Sequence, residues 1–137
     1  MGTVPLLSDA GASPEARAVF DEIRALRGTD HVNNFWRALA HDPALLRATW
    51  DRLRTVMAPG ALDPLVKEMI YVAVSTANGC GYCIHSHTAA ANAKGMTQAM
   101  HGELLAVIAM ASQTNALATA LQVETDEMFL KQEGPRR

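Results

Sequence analysis

Apolar residues recur at three- and four-residue spacing through most of the 137 positions, and nowhere do they alternate as a half-buried strand would. Ser13-Pro14-Glu15 has the form of a helix start, with a capping serine, proline at the first position and an acid in the first turn. Ala16, Val19, Phe20, Ile23 and Leu26 follow on one face, and Gly28 ends the segment. Asp30 is placed to cap a short helix over about 32–40, with Val32, Phe35, Trp36 and Leu39 on one side. Asp42-Pro43 repeats the cap-and-proline start, for a helix running to about Met57 before Ala58-Pro59-Gly60 breaks the chain. Asp63-Pro64 is a third such start, and from Leu65 to Ala77 apolar residues lie almost all round, which predicts burial on most sides. A helix is expected from Gly81 to Lys94 with Gly95 as its C-cap. Thr97 then caps another over Gln98–Ser112, and a last one covers about 114–131. Residues 1–12 read as an extended arm, with Val4, Leu6 and Leu7 able to pack on the body or on a neighbour, and 132–137 as a polar, frayed tail. The expectation is one all-α domain over 1–137, in which the segments 64–78 and 81–94 form a central antiparallel hairpin.

Composition adds a partner to this picture. The apolar fraction is 49%, but much of it is alanine, which buries little area per residue. A thin core of this kind favours close helix packing and a partner subunit. A net charge of -2 and 5% aromatic residues supply neither the basic face nor the stacking surfaces that nucleic acid needs, so no nucleic-acid partner is expected. Met1–Leu6 has neither the basic start nor the apolar centre of a signal peptide, and the longest apolar run is too short to span a bilayer. The reading is a soluble cytoplasmic protein with no membrane partner. In a reducing compartment a Cys-x-x-Cys pair points to redox or metal chemistry rather than to a structural staple.

Both cysteines lie in Asn78-Gly79-Cys80-Gly81-Tyr82-Cys83-Ile84-His85-Ser86-His87. At about 100° per residue, Cys80, Cys83 and His87 share one sector of a helix about 60° wide, while His85 faces elsewhere. Cys80 is at the helix start, where free N–H groups and the macrodipole favour a thiolate. Cys80 and Cys83 are also close enough at i, i+3 to join in a disulfide. Glu68 stands eleven residues before the turn at Gly79 and His87 eight after it, a difference of roughly 4–5 Å along antiparallel axes. A carboxylate in an otherwise apolar helix needs a partner. His87 or a cysteine can be that partner, with Ala89, Ala90, Ala91 and Ala93 allowing close approach.

Glu68, Cys80-x-x-Cys83 and His87, with Asn78 two before the first cysteine, resemble the AhpD-like alkylhydroperoxidases of the carboxymuconolactone decarboxylase superfamily. The resemblance covers about 40–110, including His41-Asp42-Pro43, and is weak over the first thirty residues. It implies an AhpD-like helical domain and a cytoplasmic thiol peroxidase without a cofactor or metal, acting in antioxidant defence. Cys83 would attack the hydroperoxide, Cys80 would resolve the sulfenic acid, and Glu68 and His87 would relay protons. A dithiol or lipoyl-type reductant and a homotrimer or homohexamer are implied as well. Tyr82 stands where some members carry a histidine, which leaves the finer proton path and the reductant open. The helix-start argument makes Cys80 the more acidic thiol, whereas the resemblance gives the attack to Cys83.

Blander roles compete at each position. The cysteines can be buried hydrophobes, or zinc ligands with His87 and Glu68. Glu68 can belong to a structural ion pair. His85 suits a surface or interface, and His31, His41 and His101 suit structural roles. Two rival functions stand beside the peroxidase. One is a lactone decarboxylase-like lyase, which needs no cysteine pair. The other is a non-enzymatic helical oligomer switched by its disulfide.

Overall fold

The structure is a computed structural model that describes residues 2–130. Among these residues it contains seven helices and no strand: α1 Pro14–Arg27, α2 Asn34–Leu39, α3 Pro43–Val56, α4 Pro64–Ala77, α5 Gly81–Ala93, α6 Gln98–Leu121 and α7 Glu127–Leu130. They fall into two compact units that divide between Ala58 and Pro59.

The first unit holds the main apolar core. Ser13, whose hydroxyl accepts from the Ala16 N–H, starts α1, and Asp42 starts α3 by accepting from Leu45. Val19, Phe20 and Ile23 of α1, Trp36 of α2, and Leu46 and Trp50 of α3 are buried together with Val32. Trp36 and Trp50 meet edge-on, with ring centroids 5.4 Å apart. The short helix begins later than the sequence suggests. Asn33, not Asp30, stands at its N-cap, and the Asp30 carbonyl instead accepts from Arg24. Phe35, expected on the inner face, is exposed against the edge of Trp36. The arm lies along this unit. Arg37 donates to the Leu7 carbonyl and to Asp9, His41 Nε2 donates to the Pro5 carbonyl, and Leu7 packs on the core. Val4 and Leu6 remain exposed.

The second unit is built on α4, against which α5 and α6 both pack. Asp63 caps α4 by accepting from Leu65. The turn into α5 is a Schellman motif: the Gly79 N–H donates to the Thr76 carbonyl and the Cys80 N–H to that of Ser75. Gly79 has φ 69° there, the left-handed conformation that a side chain would strain. The same closure recurs after α5, where Gly95 and Met96 donate to Asn92 and Ala91. Lys94 is thus the C-cap residue and Gly95 follows it. Met96 and Ala91, the apolar pair of that motif, are both buried.

Two expectations are corrected in this unit. The helices foreseen over 98–112 and 114–131 are one helix as far as Leu121. Ser112-Gln113-Thr114 contains neither glycine nor proline, and the Thr114 hydroxyl bonds back to the Met110 and Ala111 carbonyls, leaving the ladder unbroken. The chain turns only at Gln122, in the left-handed conformation at φ 47°. The expected end at 131 and the tail 132–137 lie outside the described residues. By length and composition alone the merged α6 is long and apolar enough to cross a membrane, with a mean hydropathy of 1.5, although its longest uninterrupted apolar run, Leu104–Ala111, stays short as expected.

The second correction concerns burial. α4 buries Glu68, Val72 and Ser75 but leaves Val66, Ile70 and Val74 exposed, and no residue of α6 is buried. The apolar residues that run round both helices are not covered by this single chain.

Candidate functional site

The Schellman turn that ends α4 delivers Cys80 directly to the start of α5. Cys80 is the N-cap of that helix, and its sulfur accepts the Cys83 N–H at 3.4 Å. The two thiols are free and half-buried. Their acidities diverge. Cys80 is drawn below the ordinary thiol range, first by the Cys83 thiol donating to it and then by the Cys83 and Tyr82 backbone N–H groups. Burial, the hydrogen bond to Cys80 and the charge of that sulfur push Cys83 up to about 11. A negative charge on this pair therefore rests on the N-cap sulfur, as dipole and capping arguments require.

One turn beyond Cys83, His87 meets Glu68 of the facing helix, with Nδ1 2.7 Å from Oε2. Glu68 is only 5% exposed. Burial alone would raise its pKa, but hydrogen bonds from His87 and Lys94 and the Lys94 charge outweigh it and hold the carboxyl below its usual range. An ionised carboxylate only accepts, so His87 carries its proton on Nδ1 when neutral and keeps a lone pair on Nε2. That lone pair is a base.

Two residues of the cluster, Lys94 and Tyr71, are not among the site residues that the sequence singles out. Lys94 Nζ lies 3.0 Å from Glu68 Oε1, so each carboxylate oxygen has its own donor. Tyr71 stacks on the His87 ring, with centroids 3.5 Å apart and planes within 16°. Burial and then the charges of Cys83, Cys80 and Glu68 raise the Tyr71 phenol, which stays neutral. Spacing carried a signal for both. Lys94 is seven residues, two turns, beyond His87, and Tyr71 is three beyond Glu68, so each shares a helix face with the residue already singled out.

His85 and Tyr82 are exposed. His31 is exposed, His41 holds the arm, and His101 is half-buried in the first turns of α6. No group of three or more His, Cys, Asp or Glu side chains arranged to hold a metal ion occurs among the described residues.

Residues 43–126 match the carboxymuconolactone decarboxylase family. Over 76 residues, 55% of this chain, the sequence is 41% identical to the alkyl hydroperoxide reductase AhpD of Solibacter usitatus; that match spans 41% of the relative's length, less than half of it. The crystal structure of the alkylhydroperoxidase AhpD core from Rhodospirillum rubrum is 64% identical in sequence and superposes with a TM-score of 0.93, covering 96% of this chain and 99% of that one.

Proposed function

Because the chain belongs to the carboxymuconolactone decarboxylase family, and because two free thiols at the start of α5 precede a histidine bonded to the buried Glu68 of α4, we propose that it is a thiol-dependent peroxidase that reduces hydroperoxides in antioxidant defence. The similarity to proteins named alkyl hydroperoxide reductase and alkylhydroperoxidase supports this reading. The observation that carries it is the bond between His87, one turn beyond Cys83 in α5, and the buried Glu68 carboxylate.

In this proposal the Cys83 thiolate attacks the distal peroxide oxygen. The O–O bond breaks, an alcohol leaves with a proton, and Cys83 becomes a sulfenic acid. Cys80 then attacks that sulfur, the S–O bond breaks, and water leaves as the disulfide forms. A dithiol or lipoyl-type reductant returns two electrons and two protons. Cys83 holds its proton at neutral pH, so attack requires a base, which His87 Nε2 supplies. Glu68 orients the imidazole and compensates the imidazolium that forms, a role comparable to that of the acid in hydrolytic triads. The protein acts in the cytoplasm as a homotrimer or homohexamer without cofactor or metal, and residues 1–137 form one functional domain.

A second order of events is favoured by the acidity of Cys80: the N-cap thiolate attacks first and Cys83 resolves. The test of the function is hydroperoxide consumption by reduced protein supplied with dithiol. Turnover that is lost on alkylating both cysteines supports the proposal. Absence of turnover with any dithiol, or stoichiometric zinc and no disulfide, removes it.

A further inference from the structure

We propose that Lys94 is a positioning residue that sets the pH above which His87 can act as a base, by holding Glu68 as an anion whose charge is already neutralised. The proposal rests on the peroxidase reading for its catalytic consequence, though not for its physical core.

Lysines at helix C-termini commonly do no more than face the last carbonyls or the dipole. Lys94 occupies such a position as the C-cap of α5, and its backbone N–H closes on Ala90 and Ala91. Its side chain does otherwise. It reaches Glu68 on the neighbouring helix and donates to Oε1 at 3.0 Å, with about 40% of the side chain exposed. Glu68, 7% exposed at its side chain, is thus held between an ammonium on one oxygen and an imidazole on the other.

Consider the pair Glu68–His87 as one proton-binding unit. With Lys94 in place, the unit is an anion beside a cation, and binding one more proton sets a positive charge near the ammonium. Without Lys94 the buried carboxylate stands alone, and the unit takes up a proton more readily. Where that proton settles does not alter the consequence. If it enters the imidazole, both ring nitrogens carry hydrogen. If it enters the carboxyl, the acid donates to Nδ1 and the ring hydrogen moves to Nε2. Either way the Nε2 lone pair is lost, and with it the base that removes a thiol proton.

The groups around this unit are limited. Tyr71 of α4 stacks on the ring, and Cys80 and Cys83 lie at the start of α5. Lys67 precedes Glu68 in α4 but points about 100° away round that helix. His101 and Glu103 of α6, which packs on α4, form no hydrogen bond or ion pair with Glu68 or His87 among the described residues. Lys94 is the cation that bonds Glu68 directly.

The test compares wild type with Lys94→Met, Lys94→Gln and Lys94→Arg. Nitrogen NMR of labelled histidine in the reduced protein follows protonation at His87 Nε2 against pH. Peroxide-driven oxidation is followed over the same range. In Lys94→Met the Nε2 site should become protonated at higher pH than in wild type, and the acid limb of the oxidation rate should move with it. Each unit of movement is a tenfold loss below the limb, and a loss of about tenfold or more at mildly acidic pH is expected. Lys94→Arg should restore both curves. Lys94→Gln keeps a donor without the charge and should behave as Lys94→Met. Wild-type curves in Lys94→Met, or in Lys94→Gln, overturn the proposal. If the wild type proves to have no peroxidase activity, the NMR titration still decides the role of Lys94, so the two readings fail separately.

Discussion

Glu68 and His87 are 19 residues apart in the chain and 2.7 Å apart at Oε2 and Nδ1, joined across the α4–α5 hairpin. A carboxylate bonded at Nδ1 orients the imidazole and leaves the Nε2 lone pair to accept a proton. A base that must turn into a cation gains a great deal from that carboxylate. The proposed relay therefore predicts that Glu68→Gln and His87→Ala each slow peroxide oxidation of the reduced protein by roughly 10²-fold, the usual scale of general acid–base catalysis. Both variants should retain wild-type helical circular dichroism. Stopped-flow rates near wild type for both would return the pair to a purely structural role.

The same carboxylate gives a stability signature with a definite sign. The pKa of Glu68 is lower folded than unfolded, so its contribution is fully present above the unfolded value. It is lost as pH falls through the folded value. The stability difference between wild type and Glu68→Gln should therefore be constant near neutrality and shrink below about pH 4, within the carboxylate range. Urea unfolding at a series of pH values measures it. A difference that grows toward acid would mean that Glu68 is folded as the neutral acid.

Much of this arrangement was legible in the chain. Ser13-Pro14, Asp42-Pro43 and Asp63-Pro64 mark helix starts through a side-chain cap and a fixed φ, and all three begin helices where they stand. Gly79 and Gly95 mark ends because the left-handed conformation selects them. Glu68 was visible as a charge in an apolar helix, and offsets of eleven and eight residues about the turn put His87 within about 4–5 Å of it along the helix axes. Three features were less accessible. Asp30 caps nothing because the helix waits for Asn33, a choice made by Val32 and Trp36 entering the core. The polar stretch at 112–114 resembles a break, yet a helix tolerates such residues when a threonine hydroxyl returns to its own backbone. Lys94 stood beside a helix-ending glycine, where lysine is common for reasons unrelated to any site.

Acidity and role can be separated at the two cysteines. With Cys83 at about 11, roughly one molecule in 10⁴ carries its thiolate at pH 7, while Cys80 lies below the ordinary thiol range. Limited alkylation of reduced protein at neutral pH should label Cys80 first, as mapped by mass spectrometry. Peroxide should distinguish itself from the alkylating agent. In the proposed order, Cys80→Ser reacts once and stalls as a sulfenic acid on Cys83, whereas Cys83→Ser does not turn over. The wild type should lose two hydrogens within one peptide as the disulfide closes. A sulfenate trapped on Cys80 in Cys83→Ser, with Cys80→Ser inert, would establish the reverse order.

The exposed faces of α4 and α6 set the expected assembly. Val66, Ile70 and Val74 of α4 and Leu105, Val107, Met110 and Leu117 of α6 all lie in solvent in the single chain. Each burns free energy by ordering water, and contiguous apolar patches beyond a few hundred Å² are rare on monomers. The second unit has little else to bury, since its fully covered apolar residues are Val72, Ala91 and Met96 among those described. A second copy would supply a matching apolar helix at equal concentration, and closed symmetry would make such a surface self-limiting. Light scattering at micromolar concentration should give three or six times the 14.7 kDa chain mass. Val107→Glu, at a position 65% exposed in the single chain, should lower that mass, because the charge must be desolvated in the interface. The helix content of the dissociated chain should stay near wild type if α6 folds before it docks. A single-chain mass for the wild type would refute the assembly, and an unchanged mass for Val107→Glu would move the interface to another face of α6.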